Sequence, residues 1–127
     1  MPELTTKISP HSVPDTVARL QSLAEGKGMK VFAVIDHSGE AKQAGLQLRE
    51  TKVVIFGSPQ AGTPVMAAVP LAALDLPLKV LVFADDDGQT KLAYTAPSVL
   101  AARYGLSEEL AARLAGIDNL TDGVLGG

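Results

Sequence analysis

Four short β-prone runs constrain what this chain can fold into: Lys30–Asp36, Thr51–Phe56, Lys79–Phe83 and Gln89–Tyr94. Each is too short for a buried helix. Each also carries β-branched, aromatic or leucine side chains that suit a pleated surface, so each is expected as a strand. Lys30–Asp36 is continuously apolar between its charged ends, which predicts a strand covered at least partly on both faces. Breakers stand between the runs: Gly45, then Gly57-Ser58-Pro59, then Asp85-Asp86-Asp87-Gly88. The last of these turns joins two runs into a hairpin. Only short helical pieces separate the runs, so regular strand–helix–strand alternation is missing. An α+β layer is therefore expected in place of a doubly wound parallel sheet.

The flanking segments complete the pattern. Glu3–Ile8 is β-prone and ends at Pro10, giving a first strand. Ser12 is placed to cap a helix, with Pro14 tolerated in its first turn and Asp15 near its positive end. Val13, Val17, Leu20 and Ala24 recur at helical spacing, and Gly26 and Gly28 stop the helix. A second helix is expected from Thr63 as cap and Pro64 in the first turn, running towards Leu74, with Pro70 kinking or dividing it. Ser98–Tyr104 and Ser107–Ala115 are expected to be helical. The tail, residues 119–127, ends in Gly-Val-Leu-Gly-Gly and is expected to fray. With 127 residues and neither repeat nor linker, residues 1–127 read as a single domain.

Composition narrows the chemistry. There is no Cys, which removes disulfides, thiolate nucleophiles and Cys-ligated zinc or iron–sulfur clusters. Two His in the whole chain make a multi-His metal site within one protomer unpromising, so no metal and no cofactor are expected. A net charge of -3 and 4% aromatic residues argue against nucleic acid, which calls for basic patches and stacking platforms. The apolar segment Val65–Leu74 is far shorter than the roughly 20 residues of a membrane span, and the N-terminus lacks the apolar core of a signal peptide. A cytoplasmic protein without membrane association is the expectation.

Two places could carry chemistry. Asp36-His37 stands at a strand end, where a carboxylate beside an imidazole could orient a general base. The competing reading makes Asp36 the cap of the following turn and His37 a half-exposed side chain, because neighbours on a strand face opposite ways. The second place is Gly57–Pro64, a glycine-bearing loop entering a helix. The amides near Gly62 and Thr63 could hold an anion there, with Arg49 and Lys52 as the nearest cations in sequence. The lysine of a phosphate-binding loop is missing after Gly62, and a plain capped turn is the competing reading.

Several motifs follow one another along the chain: Val34-Ile35-Asp36-His37, Ala44-Gly45-Leu46, Phe56-Gly57-Ser58-Pro59, Gly62-Thr63-Pro64-Val65-Met66, and Leu74-Asp75-Leu76-Pro77-Leu78-Lys79. The series resembles the bacterial family called domain of unknown function number 302, over a core of roughly residues 12–104. The resemblance implies an α+β fold in the order strand, helix, four strands, helix, as in the TATA-box-binding-protein-like arrangement, with an antiparallel sheet and helices on one face. It also implies a small homodimer, and it supplies no catalytic residues. The expected function is a dimeric, non-enzymatic module that binds or senses a small anionic or polar ligand. The alternatives are an enzyme using a His37–Asp36 acid–base pair and a protein–protein interaction domain.

Overall fold

In the computed structural model, which describes residues 3–126, the chain forms one five-stranded antiparallel sheet. Its strands are β1 (Leu4–Ser9), β2 (Lys30–Asp36), β3 (Thr51–Gly57), β4 (Leu78–Ala84) and β5 (Thr90–Thr95), in the spatial order β1-β5-β4-β3-β2. All five lie where the β-prone runs predicted them. The first two strands in the chain are thus the two edges. Helix α1 (Val13–Gly26) joins them by crossing one face of the sheet. The Ser12 hydroxyl accepts from the Asp15 amide at 3.2 Å, and Val13, Val17, Leu20 and Ala24 are buried as their spacing predicted.

Register decides which side chains meet α1. Val54 lies opposite Val80, and Val82 opposite Leu92; all four are fully buried, together with Phe56 and, nearly so, Tyr94. The alternate residues form the other face, where Ile35, Val53, Leu81, Ala93 and Thr6 line up across all five strands. No residue in this row is buried, and Ile35 is exposed.

The covered run predicted for Lys30–Asp36 does not hold. β2 is an edge strand with six of its seven residues exposed, and its register slips between Val31 and Ala33. An apolar run specifies strand structure, but covering both its faces needs layers that the short connections here do not supply. The slip itself is one of the devices that blunt an edge.

The fraying expected for residues 119–127 is likewise corrected. Helix α6 (Gly116–Leu125) occupies most of that tail, with Ile117, Leu120, Thr121 and Val124 buried against α1 and the sheet. Gly116, Asn119, Thr121 and Gly123 are poor helix formers, so local propensity pointed to disorder; packing of one apolar stripe overrides it. A Cβ on Gly123 would lie 3.4 Å from Leu23 Cδ1, so this glycine lets α6 sit close to α1. Polar contacts clamp the same helix. Lys7 Nζ donates to Thr121 Oγ1 at 2.6 Å, to Asp122 Oδ1 at 2.8 Å and to the Asp118 carbonyl at 3.1 Å. The Tyr94 hydroxyl donates to the Asp118 carboxylate. Burial disfavours the Lys7 charge, but its bonds to Asp122 and Tyr94 outweigh that and raise its pKa above the ordinary value.

Helix α2 (His37–Gln43) follows β2 and buries none of its residues. The helical segments after β3 and β5 build a second, smaller cluster, and the first of them is α3 (Pro59–Ala68). Pro70 divides the helix expected to run towards Leu74: α3 stops at Ala68 and a 3-10 helix spans Pro70–Asp75. Helices α4 (Pro97–Tyr104) and α5 (Glu108–Ala112) follow β5. Val65, Ala72, Leu100 and Leu114 are buried together, and Leu78 packs against both this cluster and the main core. Asp75 fastens it, accepting from the Tyr104 hydroxyl and from Arg103 at 2.9 Å.

Candidate functional site

The structure separates the residues that sequence placed together. Arg49 lies just before β3 and Gly62 and Thr63 lie beyond its other end, with the whole seven-residue strand between them. Arg49 pairs instead with Asp86 at 2.7 Å. Together with Ser38, Gly39 and Lys42 it borders a broad surface groove of about 830 Å³.

Asp36 sits at the N-cap of α2. Its carboxylate accepts from Ser38 Oγ at 2.7 Å and from the Gly39 amide at 2.9 Å. These two bonds, the Ser38 hydroxyl foremost, hold its pKa below the ordinary carboxylate value. His37 is the first residue of α2 and is exposed. Among the described residues no hydrogen bond or ion pair joins it to Asp36. The carboxylate is occupied as a helix cap, the chemistry that favours an ionised, acceptor-only group.

The Gly57–Pro64 loop also differs from its expected form. The helix begins at Pro59 with Ser58 as N-cap, so Thr63 is an interior residue and Pro64 lies inside α3. Ser-Pro is itself a good start signal, cap followed by first helical residue, and it precedes the Thr-Pro pair that sequence reading chose. The Gly62 amide donates to the Ser58 carbonyl at 2.8 Å and the Ala61 amide to the same oxygen at 3.1 Å. The Gly62 amide that was expected to face an anion is therefore spent on the helix. Ser58 does not cap with its side chain; its hydroxyl donates to Gln60 Oε1 at 3.0 Å.

What this segment does provide is the wall of a cavity of about 290 Å³. The floor comes from the end of the sheet: Phe32 on β2, Gly57 on β3 and Leu78 on β4. One side is α3, through Gly62, Thr63 and Met66; another is Leu76–Pro77; Arg113 and Leu114, just after α5, close the rest. Gly57 is where these parts converge, since a Cβ there would stand 3.4 Å from Pro77 Cβ and 3.7 Å from Phe32 Cε2. Gly62 keeps the α3 wall thin: an added Cβ would meet Met66 Cε at 3.6 Å. The groove at Arg49 is larger, but it is a wide hollow open to solvent. The smaller cavity has apolar walls and a few polar groups at its rim, the form in which a small molecule loses most of its water contact.

Gly62 and Thr63 were thus singled out for amides that turn out to be occupied, and they belong to the cavity for another reason. Phe32 and Arg113 went unremarked as site residues, and Met66 and Pro77 stood out only within the family-like motifs. The four come from separate stretches of chain, and no local pattern announces their meeting.

A mixed α+β chain with one antiparallel five-stranded sheet, and an apolar cavity at its end, defines the class of protein. The family model described as "Domain of unknown function DUF302" matches residues 5–122, and the chain belongs to that family. It is also similar over 98% of its length to a crystal structure of an uncharacterized conserved DUF302 protein from Bacillus stearothermophilus, with a TM-score of 0.82 at 20% identity; the match covers 97% of that chain. Among curated proteins it is 42% identical over 110 residues to "Fluoride-specific ion channel FluC 1" of Brucella suis, a match covering 85% of this chain and 43% of that protein. The protein of the same name from Brucella abortus is also 42% identical over 110 residues, covering 41% of its length. The chain thus spans about two-fifths of the curated relatives it matches. Among the described residues no helix is long and apolar enough to cross a membrane.

Proposed function

We propose that this protein is a non-enzymatic binding module that takes a compact, largely apolar small molecule into the cavity between β3, α3 and the Leu76–Leu78 segment. The observation that carries the reading is the cavity itself: about 290 Å³ walled by Phe32, Met66, Leu76, Pro77, Leu78 and Leu114. That volume is at the lower end for ligand pockets and equals roughly ten waters, which sets the scale of the occupant. The capping role of Asp36 supports binding over an Asp36–His37 acid–base pair. The channel name of the Brucella relatives belongs to chains about twice as long. We read the segment shared with them as the binding module of such a chain and not its conducting part.

The test is a calorimetric titration with octan-1-ol as a neutral apolar probe, on the wild type and on Gly62→Leu. The leucine suits the helix and fills the cavity, so the variant should melt no lower than the wild type while saturable octanol binding disappears. Failure of the wild type to bind, or undiminished binding by the variant, would overturn the reading.

A second reading concerns the open sheet face, which we propose is covered by a second copy of the chain. Five strands about 4.8 Å apart, each about 20 Å long, present roughly 480 Å² in plan. Two such faces together approach the roughly 1,000 Å² that a specific interface needs. Ile8 is 59% exposed there, beside the apolar row through Val53 and Leu81. Sedimentation of wild type and Ile8→Lys decides it: a dimer that the lysine dissociates supports the reading, and a monomeric wild type ends it.

A further inference from the structure

The charge around the cavity points to the chemical class of its ligand, an inference that rests on the binding reading above. The chain as a whole carries a net charge of -3, yet among the described residues the only ionisable side chain lining the cavity is Arg113. Its contact with the protein is the Gln60 carbonyl, at a long 3.4 Å, and among the described residues no carboxylate pairs with it. This contrasts with Arg19, Arg49 and Arg103, each of which has an aspartate within 3.1 Å. Lys30 Nζ lies 5.2 Å from the centroid of the Phe32 ring, and that ring forms part of the wall. The α3 N-terminus adds its positive dipole end, and its first turn holds no acidic residue to offset it.

We infer that the ligand is a small amphipathic anion, its apolar body held among Phe32, Met66, Pro77 and Leu114 and its carboxylate or similar head group recognised by Arg113 at the mouth. The division of labour follows from solvation. The walls take apolar surface out of water, the term that scales with buried area. The guanidinium at the rim remains partly solvated and offers a planar pair of donors, which matches a carboxylate without requiring a charge to be fully buried. A cation as ligand would meet Arg113 and the helix end with no compensating acid among the described residues lining the cavity. A neutral molecule of the same shape would gain the apolar contacts only.

The experiment compares three probes of one chain length at neutral pH by calorimetry: octanoate, octan-1-ol and octylamine. Octanoate should bind at least fivefold tighter than octanol, and octylamine should be the weakest. In Arg113→Gln the octanoate advantage should vanish while octanol affinity stays within twofold of wild type. Lowering the pH until octanoate is protonated should likewise bring it to the octanol value. Octanol binding as tightly as octanoate, or an anion preference that survives Arg113→Gln, overturns the ligand class and leaves the cavity reading standing. If none of the three binds, the cavity reading itself has failed.

Discussion

The two faces of the sheet are made by alternate residues of the same five strands, yet they have become different surfaces. On one, Val54, Phe56, Val80, Val82 and Leu92 are fully buried beneath α1 and α6. On the other, Val53, Ile55, Leu81 and Phe83 are scarcely less apolar, but they stay partly open, flanked by exposed Ile8 and Ile35. Side-chain hydrophobicity therefore does not say which face the helices cover. The connections do: α1 must travel from one edge strand to the other, and it crosses the face onto which the apolar stripe Val13, Val17, Leu20 and Ala24 can close. An apolar face left over after that crossing is available for association.

This contrast can be broken by substitution. Phe56→Ala should have the largest effect, about 3–5 kcal/mol, because it removes the largest fully buried side chain from a site where the surrounding layers cannot collapse fully. Urea unfolding measures it, and a loss near that of an exposed residue would mean the covered face is not the core. A smaller, pH-dependent effect belongs to the second cluster. The Tyr104 hydroxyl, then Arg103, hold the Asp75 carboxyl below its ordinary value of 3.8. A lowered folded-state pKa stabilises the fold above the unfolded value, and that contribution is lost as pH falls through the folded one. Urea midpoints compared at about pH 6 and about pH 2.5 should therefore fall on acidification, and fall less in Tyr104→Phe. An equal fall in both would remove Asp75 from the account. Ile8→Lys on the open face should change the stability of the monomer least, within about 0.5 kcal/mol. A larger loss that grows with protein concentration would show this face to be covered in solution.

Much of the fold was legible. The β-branched runs placed the strands, Ser12 announced a helix cap that forms, and the Asp85–Gly88 turn joins β4 to β5 with Gly88 at φ +80°. These signals are local: each depends on residues within a few positions of one another. The candidate site was legible only in part. Asp36 was weighed as a cap and is one, whereas the Gly57–Pro64 loop was read through amide groups that the helix consumes. A Ser-Pro start at position 58 would have moved the helix cap back from Thr63 and turned attention from amides to side chains.

Sequence by itself determined where the chain extends, turns and caps, because those choices are made by the sterics and hydrogen bonding of neighbouring residues. Tertiary structure alone decided that β1 and β2 become edges, that a glycine-bearing tail becomes the buried helix α6, and that Phe32, Gly57, Met66, Pro77 and Arg113 surround one cavity. Those outcomes depend on which apolar stripes can close over one another across distant stretches of chain. Burial of a whole stripe, as at Ile117, Leu120 and Val124, outweighs the small per-residue preferences that a local reading can sum.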